Sequence, residues 1–215
     1  MSCLVCKGET SKFLDLGKQP IANGFLTPEQ FKDEYFFNME VALCKTCSMV
    51  QLVSQPDRSR MFHENYAFYS STSSHMASHF ERFANEVIRD YGLTKDSFVL
   101  EIGSNDGIML RHFAKNGIGH LGVEPSANVA KVAEAQGINT VSCFFDDNFG
   151  AYRKADVILA ANVLAHISDI HSVMRGVKRL LKPNGVLIFE DPYMGDILAK
   201  TSYDQIYDEH AFFFS

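Results

Sequence analysis

Val99-Leu100-Glu101-Ile102-Gly103-Ser104-Asn105-Asp106-Gly107 reads as the end of a strand, a tight turn and the start of a helix. An apolar run closes on an acid, the chain turns between two glycines, and an amphipathic segment follows at 108–115. Gly103 and Gly107 carry no side chain, so a ligand can approach the backbone of such a turn closely. The next apolar run, 120–123, ends at Glu124, where a carboxylate can grip two ribose hydroxyls. The spacing is G-x-x-x-G and not the G-x-G-x-x-G that cradles a pyrophosphate. Glu101 and Asp106 set two negative charges beside the turn, which repels phosphate and suits a ligand of positive charge. S-adenosylmethionine, with its sulfonium and ammonium, is such a ligand. An ordinary strand–helix turn of an α/β protein is the alternative.

Around this turn strands and helices alternate. The pattern predicts strands at 98–102, 120–124, 139–143, 156–160 and 186–190, with helices at 108–115, 127–136 and 170–181. Gly137 stops one helix, and Lys182-Pro183-Asn184-Gly185 turns another into a strand. The expected fold class is therefore α/β, with a Rossmann-like doubly wound parallel sheet that binds ligands at the carboxyl ends of its strands. Ahead of the sheet, the Ser/Thr cluster at 70–74 has helix N-cap chemistry. It precedes a helix with Met76, Phe80, Phe83, Ala84, Val87, Ile88 and Tyr91 on one face, ended by Gly92.

The cysteines divide into two knuckles, Cys3-x-x-Cys6 and Cys44-x-x-Cys47, with Cys143 alone in an apolar stretch where a buried position is expected. Four thiolates at this spacing predict a closed, structural zinc site, ahead of disulfides in a reducing compartment and of iron. A strand in which Phe37, Met39 and Val41 alternate with Phe36, Asn38 and Glu40 leads into the second knuckle. Residues 49–53 leave it as another. This module holds few apolar residues, so metal is expected to supply much of its stability. The domain expectation is a zinc-binding module at 1–56, a linker and helix lining the cofactor pocket at 57–96, and the cofactor-binding domain at 97–215.

At 215 residues and a net charge of −6, the chain suits one α/β domain with a small appendage and lacks the basic face of a nucleic-acid binder. No run reaches the roughly 18–20 apolar residues of a membrane span. The N-terminus shows no charged region followed by an apolar one, so a cytoplasmic location is expected, as a monomer or weak homodimer. Near the C-terminus, Tyr207-Asp208-Glu209-His210 sets four titratable groups in a row, a candidate acid/base site.

Taken in order, these motifs resemble the sugar C-methyltransferases of deoxysugar and antibiotic biosynthesis. The resemblance rests on the two knuckles with Leu16-Gly17-Lys18-Gln19-Pro20 between them, the Tyr/Ser segment 66–74 and the run 101–107. It extends to Gly122-Val123-Glu124-Pro125-Ser126, Ala161-Asn162-Val163-Leu164-Ala165-His166, Glu190-Asp191-Pro192-Tyr193 and Ile206-Tyr207-Asp208-Glu209-His210. It implies the class I methyltransferase fold and methyl transfer from S-adenosylmethionine to C-3 of a nucleotide-linked 4-keto-6-deoxysugar, through an enolate. It also implies an acid/base cluster of Tyr207, Glu209 and His210, with His166 and Tyr66 facing the sugar. Either His210 or Tyr207 is then the base, the other stabilises the oxyanion, and Glu209 orients His210. On the cofactor side it implies Glu101, Gly103, Asn105, Asp106 and Gly107 around the methionine part and Glu124 on the ribose. Pro125 and Ser126 would shape the adenosine pocket, Phe145 would flank adenine, and Asn162 would stand near the sulfonium. Core packing is the plainer expectation for Phe145, as a turn is for Asn162.

Family members run to about twice this length and add further strands, so the chain is expected to be the N-terminal part of a longer enzyme, with strand 186–190 at an open sheet edge. Two other functions stay open: an O- or N-methyltransferase on a small metabolite, and a zinc-stabilised cofactor-binding module without turnover.

Overall fold

The computed structural model describes residues 1–150 and 152–215. In chain order its elements are β1 (Thr10–Pro20), β2 (Phe36–Cys44), β3 (Val50–Leu52), α1 (Arg58–Met61), α2 (Ser74–Asp90), β4 (Phe98–Ile102), α3 (Leu110–Lys115) and β5 (Gly119–Val123). There follow α4 (Ala127–Ala135), β6 (Thr140–Val141), β7 (Ala155–Ala161), α5 (Ile170–Leu180), β8 (Leu181–Glu190), α6 (Met194–Lys200) and β9 (Phe212–Phe213). The chain divides into two units. One gathers Met1–Met61, Asn162–His171 and Glu190–Ser215; the other holds Phe62–Ala161 and Ser172–Phe189.

The second unit carries the α/β fold. Its sheet runs β6-β5-β4-β7-β8, and β4 pairs in parallel with β5 on one side and β7 on the other. Chain order reverses at β4, so the turn leaving β4 opens at the switch point where doubly wound sheets bind ligands. Val99, Leu100 and Ile102 of β4 are fully buried, as expected for a central strand covered on both faces. Helix α2 begins at the Ser73 cap, whose side chain accepts the Met76 N–H, and sets Phe80, Ala84 and Val87 into a core with Leu110 and Phe113 of α3. Tyr91, expected on that face, is the C-cap residue and stands 49% exposed.

Local details differ from the sequence pattern. Strand β6 has two residues, because only Gly122 and Val123 offer it partners. Helix α3 starts at Leu110, after a turn closed by the Gly107 N–H on the Ser104 carbonyl. Strand β8 begins at Leu181 and takes in Pro183, which an edge strand tolerates because one side of its backbone has no ladder to maintain. Cys143 is exposed, since the chain has already left the sheet after Val141.

The first unit is a four-stranded sheet, β1-β2-β3-β9, antiparallel throughout. Along β2 the side chains alternate as expected, with Phe37, Met39 and Val41 inward and Phe36 and Asn38 outward. Phe212 and Phe213 of β9 pair with Gln51 and Val50. Phe213, with Met194 and Ile197 of α6, then closes the small core over Phe37, Met39, Val41, Val50 and Leu52. The apolar surface that the first 56 residues lack therefore comes from the last 25. Among the described residues no helix is long and apolar enough to cross a membrane.

Candidate functional site

The two knuckles are built alike. In each, the residue after the second cysteine takes a left-handed conformation, Lys7 at φ 62° and Ser48 at φ 61°. Their N–H groups donate to the carbonyls of Cys3 and Cys44, both at 3.1 Å. The Cys3 and Cys44 N–H groups in turn donate to the carbonyls of Gly8 and Met49. Gly8 is required where it stands, because a Cβ there would lie 2.5 Å from Thr46 Oγ1 of the opposite knuckle. The four sulfurs of Cys3, Cys6, Cys44 and Cys47 fall within 4.8 Å of one another, with the Cys3–Cys47 and Cys6–Cys44 pairs at 3.7 and 3.5 Å. A tetrahedral zinc with Zn–S bonds of about 2.3 Å needs edges near 3.8 Å, and a closed set of four thiolates is structural zinc chemistry. The Cys47 and Thr46 N–H groups point at the Cys44 sulfur, and the Cys47 amide is foremost in drawing its thiol down to about 6. The residues fit a structural zinc ion.

The acid-flanked turn is held in the second unit. Gly103 (φ 65°), Asn105 (φ 48°) and Gly107 (φ 78°) are all left-handed, and the Gly103 and Ser104 N–H groups donate to the Val123 carbonyl. A Cβ on Gly107 would meet Ile138 at 3.0 Å and Ala133 at 3.3 Å, so the turn lies flat against its neighbours. Glu124 accepts the Asn105 N–H on one oxygen (3.0 Å) and the Ser126 N–H on the other (2.8 Å). The Tyr/Ser segment is bonded to this turn: Ser70 N–H donates to Asn105 Oδ1 (2.9 Å) and Ser71 N–H to Asp106 Oδ2 (3.0 Å). Asn128 of α4 pins the segment by donating to the Tyr66 carbonyl and to Tyr69 Oη, both at 2.8 Å.

Burial pushes the Glu101 carboxyl well above its ordinary value, and the negative Glu124 and Asp106 push it further. Glu124 is raised as well, by burial first. Glu101 Oε2, Ser104 Oγ and Asp106 Oδ1 are buried without a hydrogen-bond partner. Buried acceptors left open in this way are costly unless something completes them. A ligand with an ammonium group would do so; a phosphate would meet three carboxyls. The residues fit S-adenosylmethionine. Of the remaining expected cofactor residues in this unit, Pro125 is half-buried and Phe145 is buried, its ring centroid 5.1 Å from that of Phe149.

The candidate acid/base groups lie together in the first unit. His166 ends a short 3-10 turn, Leu164–His166, whose Ala165 N–H donates to Asp191 Oδ1 (3.1 Å). The Ala165 carbonyl accepts the Ala211 N–H (2.8 Å), which ties that turn to 207–210. His210 Nδ1 is 2.7 Å from the Gln205 carbonyl; a carbonyl only accepts, so Nδ1 carries the proton and Nε2 presents its lone pair. The His210 ring stands edge-on to those of His166 (4.8 Å) and Tyr207 (4.6 Å). Glu209 is 1% exposed; its Oε2 lies 3.5 Å from His166 Nδ1 and accepts from Tyr207 Oη at 3.4 Å. Burial lowers His210 and takes His166 down to about 3, so both imidazoles are neutral at neutral pH. Burial, then the Glu209 and Asp208 charges, raise Tyr207 and keep it protonated. The group thus holds an available imidazole lone pair beside a phenol donor.

Asn162, exposed and left-handed at φ 55°, lines a cleft of about 360 Å³ with Asp191, Tyr193, Lys200 and Gln205. Tyr66 is half-buried in the other unit. Sequence reading passed over Asn23, which donates to Glu209 Oε1 at 2.6 Å, and Asp191, whose carboxyl burial raises to about 7. Each sits beside or within a stretch that carried the family resemblance, which was the available signal.

Residues 3–62 match a family model described as "Putative zinc binding domain", and residues 73–215 match one described as "Methyltransferase domain". The C-methyltransferase NovU of Streptomyces niveus is 30% identical over 222 residues, covering 99% of this chain and 52% of NovU. A ubiquinone biosynthesis O-methyltransferase of Actinobacillus pleuropneumoniae serotype 7 (strain AP76) is 33% identical over 102 residues, 42% of this chain and 44% of that enzyme. Among solved structures, the YcgJ protein of Bacillus subtilis aligns with a TM-score of 0.52 at 18% identity, covering 64% of this chain and 63% of its own, a likeness of fold. The chain spans about half the length of the curated relatives it matches.

Proposed function

This chain belongs to the S-adenosylmethionine-dependent methyltransferases that carry an N-terminal zinc-binding module, and from that premise we propose that it methylates C-3 of a nucleotide-linked 4-keto-deoxysugar. The observation that carries the reading is the neutral His210 set beside protonated Tyr207 and the buried Glu209. Carbon methylation needs a base, and that arrangement supplies one. The similarity to a relative named as a C-methyltransferase supports the same reading. The sugar itself rests on the resemblance of the linked motifs.

S-adenosylmethionine, when bound, supplies an electrophilic methyl group. Glu101 or Asp106 would hold its ammonium and Glu124 its ribose hydroxyls. In the acceptor, the C-4 carbonyl acidifies the C-3 hydrogen. His210 Nε2 takes that proton, and the C–H electron pair passes into the enolate; the methyl group would go to C-3 as its C–S bond breaks, the electron pair staying on the sulfur of the neutral thioether that leaves. Tyr207 donates to the developing oxyanion; its bond to Glu209, long at 3.4 Å, leaves the hydroxyl free to turn. Glu209, facing His166, stabilises the positive charge that His210 gains.

The test is hydrogen exchange at C-3. In D2O with S-adenosylhomocysteine in place of the methyl donor, the protein should exchange the C-3 hydrogen of a 4-ketosugar nucleotide, and His210→Ala should not. Methylation without C-3 exchange would reject the mechanism. The similarity to O-methyltransferases over 42% of the chain favours one second reading, transfer to an oxygen, which needs no carbon acid and predicts no exchange.

A further inference from the structure

Asn23 lies on the loop that follows β1, in a turn closed by the Gly24 N–H on the Ile21 carbonyl (3.2 Å). Its Nδ2 donates to Glu209 Oε1 at 2.6 Å, across 186 residues of chain. The neighbouring Ala22 N–H donates to Asp208 Oδ1 at 3.2 Å. From the segment after β3, Gln55 Nε2 approaches the carbonyls of His166 and Asp208 at 3.4 Å and of Glu209 at 3.1 Å. The segment holding the four thiolates thus also braces the acid/base cluster, through two amide side chains and a backbone N–H.

We propose that Asn23 is a positioning residue for that cluster: its donation to Oε1 fixes the Glu209 carboxylate so that Oε2 faces Tyr207 and His166. This rests on reading the cluster as the acid/base site. Glu209 is 1% exposed, and a carboxylate taken that far from water needs its oxygens hydrogen-bonded. With Oε1 satisfied by Asn23, Oε2 is committed to the two groups that border His210. Remove the donor and the carboxylate gains a reason to rotate toward other partners or to take up a proton. In either case it no longer offers a fixed negative charge to the base. The titratable groups at Oε2 are Tyr207 and His166, and His210 stands edge-on to both of their rings.

The experiment compares Asn23→Ala and Asn23→Asp in the intact protein, each checked for folding by thermal unfolding. Expected is a fall in kcat of about 10–100-fold for Asn23→Ala, the scale on which small misplacements in an active site act, with the KM for the sugar nucleotide within about threefold. Asn23→Asp keeps the shape, removes the donor and adds a like charge, so it should be slower than Asn23→Ala. A residue that merely fills space would rank the two the other way. Independently of turnover, the NMR titration of the His166 ring should shift in Asn23→Ala, because Glu209 Oε2, 3.5 Å from His166 Nδ1, is no longer held in one place. Folded variants with unchanged kcat and an unmoved His166 titration would overturn the proposal, and Asn23→Ala decides it alone if Asn23→Asp does not fold. Should the wild-type protein leave every 4-ketosugar untouched, the functional reading fails, while the His166 titration still judges Asn23.

Discussion

The turn at 103–107 and the cluster at 207–210 solve opposite problems. The first concentrates Glu101, Asp106 and Glu124 and leaves buried acceptors without partners. The second is more fully bonded: Glu209 has Asn23 on one oxygen and Tyr207 and His166 at the other, and His210 is fixed by the Gln205 carbonyl, while Asp208 Oδ2 is buried without a partner. An open set of acceptors waits for a ligand to complete it; a bonded network holds protonation states in place. On the proposed reading the first region takes the methyl donor and the second handles the proton.

Removing the metal should separate the two regions by the largest effect. Structural zinc sites contribute on the order of 10–16 kcal/mol of folding free energy in small modules. Cys44→Ser, or a chelator, should therefore melt the sheet of β1, β2, β3 and β9 and abolish turnover. Calorimetric affinity for S-adenosylhomocysteine should fall less than about tenfold, because the 103–126 site belongs to the other unit. Equal loss of both would mean that the two regions are one cooperative structure.

Within the unit that holds the cluster, acid should act in opposite directions on two buried groups. His166 sits near pKa 3 in the fold, against an ordinary value of about 6.5. Its contribution to stability is present above about pH 6.5 and is lost as pH falls from there toward 3, an effect on the order of a few kcal/mol. Asp191, raised to about 7, has the opposite sign: its contribution is present below about pH 4 and lost as pH rises toward 7. His166→Gln should flatten the decline of the unfolding temperature between pH 6.5 and 4. Identical pH profiles for variant and wild type would show that His166 does not titrate with folding.

How far each region was legible follows from the distance over which it is assembled. The cofactor turn and Glu124 are some twenty residues apart and are joined by the parallel pairing of two adjacent strands, so local pattern exposed both. The zinc knuckles are legible for the same reason, each being a four-residue turn. Strand β9 pairs with β3 across some 160 residues, and nothing in Phe212-Phe213-Phe214 marks its partner. Its place in the core with Met39 and Val41 depends on that distant pairing and has no local signature. Asn23 looked like a loop residue because its one telling bond is to a group far along the chain. The exposure of Cys143 escaped as well, since it depends on β6 stopping after two residues.

On the proposed reading the acid-flanked glycine turn, with Glu124 beside it, seats the methyl donor and does so without help from the proton-handling cluster. The decisive measurement is calorimetric titration of S-adenosylhomocysteine into wild type, Glu124→Gln and His210→Ala. Loss of a charged hydrogen-bonding partner costs about 1.5–3 kcal/mol, so Glu124→Gln should bind about 10–100-fold more weakly, while His210→Ala binds as wild type does. Wild-type affinity in a folded Glu124→Gln protein, or a comparable loss in His210→Ala, would contradict it.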